Sequence, residues 1–293
     1  MKRPAPARRR LIWSADDFGY SGTVNEGIAL AHRQGLVRGA SLLAGGEAFE
    51  GAVRLARALP DLDLGVHLAA VGVRAVLPPA RLGGLASEDG RLPRGYAQFL
   101  PRFALGLIRA NSVMLEWEAQ LARILDAGLR PIYADSHQHL HVLPGLLERA
   151  LPLLKRFGIR ALRAPCDAAP GRASLPRALA LGALFHLGRG ARQRARAEGF
   201  FTPDGTVGIA DAGRLDAARI GFLARSLLAL PPGTFELVAH PGLGEPQGSE
   251  ASGWNYRWAD ELAAARDPEL AALLREAGIE VLGYRDCLGG TQP

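Results

Sequence analysis

The sequence predicts an α/β protein built on a parallel sheet. Short apolar runs alternate with longer helical ones along the chain, and most of these units close at Gly or Pro. The apolar runs are also continuous rather than alternating, as strands covered on both faces require. Residues 10–17 (RLIWSADD) read as the first buried strand, followed by a helix over 23–34 that stops at Gly35. Residues 40–44 (ASLLA) form the second strand, and a helix over 47–59 ends at Pro60. The third strand is LDLGVHLAA (62–70). Residues 71–111, rich in Gly and Pro, read as a long loop with one short helix, and an amphipathic helix over 112–127 closes at Gly128. PIYADSHQHLHV (131–142) is the fourth strand, with a helix over 144–157, and ALRAP (161–165) is the fifth. Residues 166–213 carry a helix near 174–198 with apolar and arginine faces. A helix over 215–229 leads into FELVAHPG (235–242), and one near 258–277 into the last strand, IEVLGY (279–284). Seven or so such strands can close into a barrel or lie open; periodicity allows both.

Bulk properties narrow the function classes. The 293 residues suit one α/β barrel, for which roughly 250 is typical. With no internal repeat or linker, a single domain over 10–293 is expected behind a disordered basic arm, 1–9. Lys2, Arg3, Arg8, Arg9 and Arg10 supply five of the six net positive charges, so the body is close to neutral. No nucleic-acid partner is therefore expected, although the pI is about 9.9. Asp16 and Asp17 interrupt the apolar run behind the arm, which argues against a signal peptide. No run approaches the ~18 apolar residues of a transmembrane segment. Cys166 and Cys287 are too few for a disulfide framework, so a cytoplasmic address is the default.

Five of the seven histidines (His67, His137, His139, His141 and His240) fall within or at the ends of predicted strands, as do Asp16, Asp17 and Asp135. In parallel α/β folds the C-terminal strand ends form the functional rim. Asp16 and Asp17 repel one another unless a cation sits between or beside them; a helix cap is the alternative reading. His137, His139 and His141 alternate, which on a strand puts them on one face with neighbours ~6.6 Å apart, close enough for two to share an ion. Three hydrogen-bonded core histidines would each need their own partners, so a metal is the better account. His67 taken alone reads as a core histidine, whereas Pro241 and Gly242 put His240 at the rim. One Asp with two imidazoles leaves open coordination positions, a second carboxylate can act as general base, and the set suits hydrolysis of an amide or ester. Few cations lie near these motifs, which counts against a phosphoester.

SADDFG, VNEGIALAHRQG, LGVHL, DSHQHLHVLP and ELVAHPG occur in the order seen in the YdjC-like carbohydrate deacetylase family, which the chain resembles from about Leu11 to Gly242. The resemblance implies a distorted (β/α) barrel related to the NodB-type polysaccharide deacetylases. It implies a metal on Asp17, His67 and His137, Asp16 as catalytic base and His240 as general acid. The residues alone would have paired His137 with His139; the family gives His139 and His141 supporting or substrate-facing roles, and Asp135 and Trp254 are candidates for the same roles on their positions in the sequence. Mg²⁺ is the ion implied by the family, whereas an Asp-His-His set intrinsically prefers Zn²⁺. The substrate implied is an N-acetylated sugar, deacetylated with release of acetate, and a homodimer is compatible with the family. Residues 174–198, followed by GFFTPDGTVG, look more like the hopanoid-biosynthesis branch than the chitooligosaccharide one. That branch would imply a lipid-linked sugar, and the helix either covers the barrel or makes a peripheral membrane contact. Trp254, Tyr256 and Trp258 read either as sugar platforms or as packing aromatics. Two alternatives stand beside this reading: hydrolysis of another amide or ester, and a non-catalytic sugar- or lipid-binding barrel.

Overall fold

The computed structural model describes residues 9–169, 174–246 and 254–289. Among the described residues, eight parallel strands form one sheet: β1 (Arg9–Phe18), β2 (Gly39–Leu42), β3 (Asp63–Leu68), β4 (Tyr133–Ser136), β5 (Ala161–Leu162), β6 (Gly205–Val207), β7 (Thr234–Ala239) and β8 (Ile279–Leu282). Their order is β5-β4-β3-β2-β1-β7-β6, and β8 pairs with β1. The sheet curls until its edges meet. Asp167, just past β5, bridges to Thr206 of β6, with Ala168 N–H donating to Thr206 O at 2.7 Å and Thr206 N–H to Cys166 O at 2.9 Å. The result is a distorted barrel with an irregular seam. β8 pairs with Arg9–Ile12 and β2 with Ser14–Phe18, so the two share one edge of β1 while β7 takes the other.

Around the strands pack α1 (Gly22–Arg33), α2 (Phe49–Ala58), α3 (Tyr96–Ala104), α4 (Ala110–Asp126), α5 (Leu147–Arg156), α6 (Leu175–Ala197), α7 (Ala217–Leu227), α8 (Trp258–Ala265), α9 (Pro268–Glu276) and the short α10 (Tyr284–Cys287). The predicted helix over 258–277 is in fact two. Asp267 accepts from Glu269 N–H and Leu270 N–H, and Pro268 opens α9, so a cap followed by proline restarts the helix. Only the second half of α6 covers the barrel: Gly188 lies so close to Pro165 that a Cβ would stand 1.8 Å from its carbonyl oxygen, while Leu175 and Leu179 are 75% and 68% exposed.

The basic arm, residues 1–8, lies outside the described residues. Arg9 corrects the expected boundary, because it opens β1 and its guanidinium donates to Leu227, Leu228 and Leu230 carbonyl oxygens at the end of α7.

Alternation along β1 sorts its side chains. Leu11, Trp13 and Ala15 belong to the large core beneath the helices, whereas Ile12 joins Tyr133, Ala161, Leu282 and Tyr284 in a separate plug. Gly65 makes room for this plug, since a Cβ there would meet the Tyr133 ring at 2.4 Å. Two residues further along β1 comes Ser14, hydrogen-bonded to Glu236 of β7 at 2.7 Å, and two further still is Asp16. The barrel interior thus passes from apolar plug to polar layer to rim at ~3.3 Å per residue.

Candidate active site

The first carboxylates owe their placement to an irregularity. Between Ala15 and Phe18 the β1–β2 register slips, so Asp16 and Asp17 together face only Ser41. This is a β-bulge, with Asp17 in the left-handed region at φ 67°. In a regular strand adjacent side chains point to opposite faces. Here both carboxylates line one cavity of about 210 Å³ at the C-terminal rim, with His67, His137, Gln138, His139 and His240.

Asp17, His67 and His137 converge. His137 Nδ1 lies 3.0 Å and His67 Nε2 3.5 Å from Asp17 Oδ1, and the two nitrogens are 3.3 Å apart. Donor atoms sharing one ion through bonds of ~2.1 Å stand about this far apart. His67 Nδ1 contacts Asp135 Oδ1 at 2.6 Å and Ser41 Oγ at 3.0 Å, which puts its proton on Nδ1 and aims the Nε2 lone pair at the triad. Burial disfavours a charged His67, but Asp135 and Asp16 outweigh it and raise its pKa to about 10, so the position attracts positive charge. The residues therefore fit a divalent ion.

Asp16 is held differently. Arg163, fully buried just past β5, donates to its Oδ2 at 2.6 Å and Oδ1 at 2.8 Å, and Ser41 Oγ donates to Oδ1 at 3.3 Å. Burial pushes this carboxyl up, but Arg163 and His67 prevail and hold it well below the usual range. The same guanidinium contacts Asp135 Oδ2 at 2.8 Å, Glu236 Oε1 at 2.9 and 3.0 Å, and Ser14 Oγ at 2.9 Å. Asp16, His67 and Asp135 also stand close enough to ligate a cation, but Arg163 already supplies one there. Asp16 itself lines the cavity beside the Asp17 triad.

His240 follows β7 directly, and Glu261 of α8 accepts its backbone N–H at 2.5 Å. A second Glu261 oxygen accepts Leu215 N–H at 3.2 Å, so one buried carboxylate ties the end of β7 to the segment before α7. Tyr256 stands 4.9 Å from the His240 ring, Trp254 5.2 Å from that of His137, and both line the cavity with Ile209, Ala212 and Val238.

The histidine triplet corrects the expected strand. β4 ends at Ser136, and His137–Val142 is a 3-10 turn with Gln138 and His139 left-handed at φ 54° and 59°. The three imidazoles therefore diverge. His137 enters the triad and His139 lines the cavity, whereas His141 is buried away from it, bonded to Ser136 Oγ at 2.6 Å and Arg163 O at 2.8 Å. Burial lowers the His141 pKa to about 4, so it is a neutral strut rather than a substrate contact. Asp135 likewise supports His67 and Arg163 and does not line the cavity. Asp17, Gln138, His139 and Asn255 are the described non-glycine residues with positive φ, and they cluster around this site. Strain of ~1–3 kcal/mol at each persists only where the surroundings impose it.

Arg163, Glu236, Glu261, Gln138 and Gly72 escaped the sequence reading. For the first two a signal existed: each is a charged residue in an otherwise apolar predicted strand, and Glu236 precedes His240 by two strand periods.

Comparison with known proteins places these residues in context. The YdjC-like protein family matches residues 10–276. A mouse protein named carbohydrate deacetylase is 33% identical over 95% of this chain and 95% of its own length. A Geobacillus stearothermophilus protein of the same name is 31% identical over 95% of this chain and 98% of its own. A crystal structure from Enterococcus faecalis V583, described as a candidate cellobiose-phosphate cleavage protein, superposes with a TM-score of 0.75. It covers 96% of this chain and 99% of its own at 24% identity, which shows a shared fold.

Proposed function

This chain belongs to the YdjC-like protein family, and from that premise we propose that it is a carbohydrate deacetylase that hydrolyses the acetamide of an N-acetylated sugar with one divalent metal. The observation that carries this is the division of labour across the bulge: Asp17 converges with His67 and His137, while the adjacent Asp16 is held by Arg163 and lines the same cavity. An ion on Asp17, His67 and His137 would polarise the acetamide carbonyl and acidify a bound water. The two imidazoles favour a later transition ion such as Zn²⁺ over Mg²⁺.

The chain's own residues supply the proton traffic. Asp16, which lines the cavity, takes the proton of the attacking water on the one lone pair left by the three bonds from Arg163 and Ser41, while Arg163 fixes its plane. Arg163 makes it a weak base, which suits a water that an ion on the neighbouring Asp17 would acidify. His240, immediately after β7, gives its proton to the departing amine, leaving acetate and a free amino sugar. His139 and Trp254 are assigned to the sugar.

The test is acetate release from N,N′-diacetylchitobiose by metal-stripped protein before and after adding Zn²⁺ or Mg²⁺. Metal-restored release that Asp16→Asn abolishes, with the metal still bound, is expected. Substantial turnover in Asp16→Asn would remove Asp16 from the base role. Stoichiometric metal without acetate from any N-acetylated sugar would refute the deacetylase assignment.

A further inference from the structure

The turn that delivers His137 is braced from outside its own strand. Gln138 and His139 hold consecutive left-handed conformations, which their sequence does not favour, so something must enforce them. The Gln138 amide oxygen accepts Tyr96 N–H, the first residue of α3, at 2.6 Å. Gly95 leaves room for that amide: a Cβ there would stand 3.1 Å from the same oxygen. The start of the same long excursion backs the neighbouring ring, since Gly72 lies under His137 and its N–H donates to Pro93 O at 2.8 Å. The start of the connection between β3 and α4 and its Pro93–Tyr96 stretch, just before α3, therefore meet behind residues 137 and 138.

We infer that Gln138 is a positioning residue for the metal centre: its amide oxygen anchors the left-handed turn to the start of α3 and so aims His137 Nδ1 at Asp17 and His67. The inference rests on the reading of Asp17, His67 and His137 as metal ligands. It makes the β3–α4 excursion part of the metal site, although the excursion contributes no ligand. A side chain acting through a ligand typically changes metal affinity by ~10–100-fold.

The experiment is calorimetric titration of Zn²⁺ into metal-stripped wild type, Gln138→Ala and Gln138→Gly, with thermal melting of each metal-free protein as the folding control. The anchor predicts Zn²⁺ binding at least tenfold weaker in both variants, with metal-free melting close to wild type. Gln138→Glu, which keeps an oxygen for Tyr96 N–H, should recover most of the affinity. Glycine suits the left-handed backbone, so if backbone strain alone set the affinity, Gln138→Gly would bind as well as wild type or better. Binding within threefold of wild type in either variant overturns the inference. Should Gln138→Ala not fold, Gln138→Gly carries the test by itself. Wild type that takes up no Zn²⁺ would overturn the ligand assignment and this inference with it, an outcome distinct from intact wild-type binding with unaffected variants.

Discussion

Replacing Arg163 with Met tests the electrostatic design beneath the site. The guanidinium is fully buried and touches three carboxylates: Asp16 through two hydrogen bonds, Glu236 through two, and Asp135 through an ion pair at 2.8 Å. Removing one partner of a buried ionic cluster while leaving the others costs ~3–5 kcal/mol. For a chain of this size that corresponds to a fall in Tm of roughly 10 °C, at ~2–4 °C per kcal/mol. The pH dependence separates this from simple loss of packing. In the wild type, Asp16's lowered pKa contributes stability above the ordinary carboxylate value of 3.8, which is lost as pH falls through the folded-state value. Without Arg163, burial dominates and raises the carboxyls, so the folded state binds protons first and gains stability as pH falls. The gap between wild type and Arg163→Met should therefore narrow as the pH is lowered from neutral toward the carboxylate range, read by thermal melting of metal-free protein. A gap below ~1 kcal/mol at the higher pH, or one that does not narrow, would refute the shared-charge argument.

Gly72→Ala places a Cβ 2.8 Å from His137 Nε2 at a backbone φ of 76°. The ring must yield, and Zn²⁺ affinity by calorimetry should fall by ~10-fold or more, as for other changes that misdirect a ligand. His141→Ala should cost ~2–3 kcal/mol in denaturant melts through the orphaned Ser136 hydroxyl and Arg163 carbonyl. Zn²⁺ stoichiometry should stay at one, and loss of the ion would return His141 to the ligand set. Asp167 accepts from Thr206 Oγ1 and Ala210 N–H at the seam, and burial raises its pKa to about 6 from 3.8. Here the folded state binds the extra proton, so stability falls as pH rises across that window. Asp167→Asn should flatten that part of the stability–pH curve, and an unchanged slope would contradict it. Asp17→Ala and His67→Ala should each abolish metal uptake measured by elemental analysis; a retained ion in either would break the triad.

Much of this was legible in the sequence because buried parallel strands advertise themselves as apolar runs. The acids and imidazoles at their C-terminal ends then fall on one rim. What stayed hidden depends on partners far along the chain. The alternation of His137, His139 and His141 mimics a strand face, and only the bond from Tyr96 to Gln138, 42 residues apart, shows why the backbone turns instead. The bulge at Asp16–Asp17 exists only in register with Ser41, which no local pattern reports. Strand β6 has three residues and no periodicity to detect. Arg163 and Glu236 were readable in principle, since charge inside an apolar strand asks for an opposite charge within the barrel.

The bulge also changes what can drift during thermal motion. Asp16 and Asp17 are joined by one peptide bond, so the spacing of their backbones is metered by covalent geometry, ~3.8 Å between Cα atoms, rather than by packing. The proposed acid, His240, reaches the same cavity from another strand through non-covalent register. Partial loosening of the barrel would leave the proposed base, Asp16, beside the proposed metal ligand, Asp17, while separating both from the proposed acid. Activity lost on gentle heating should therefore fail first at protonation of the amine, and substrates with better leaving groups should outlast those with poor ones.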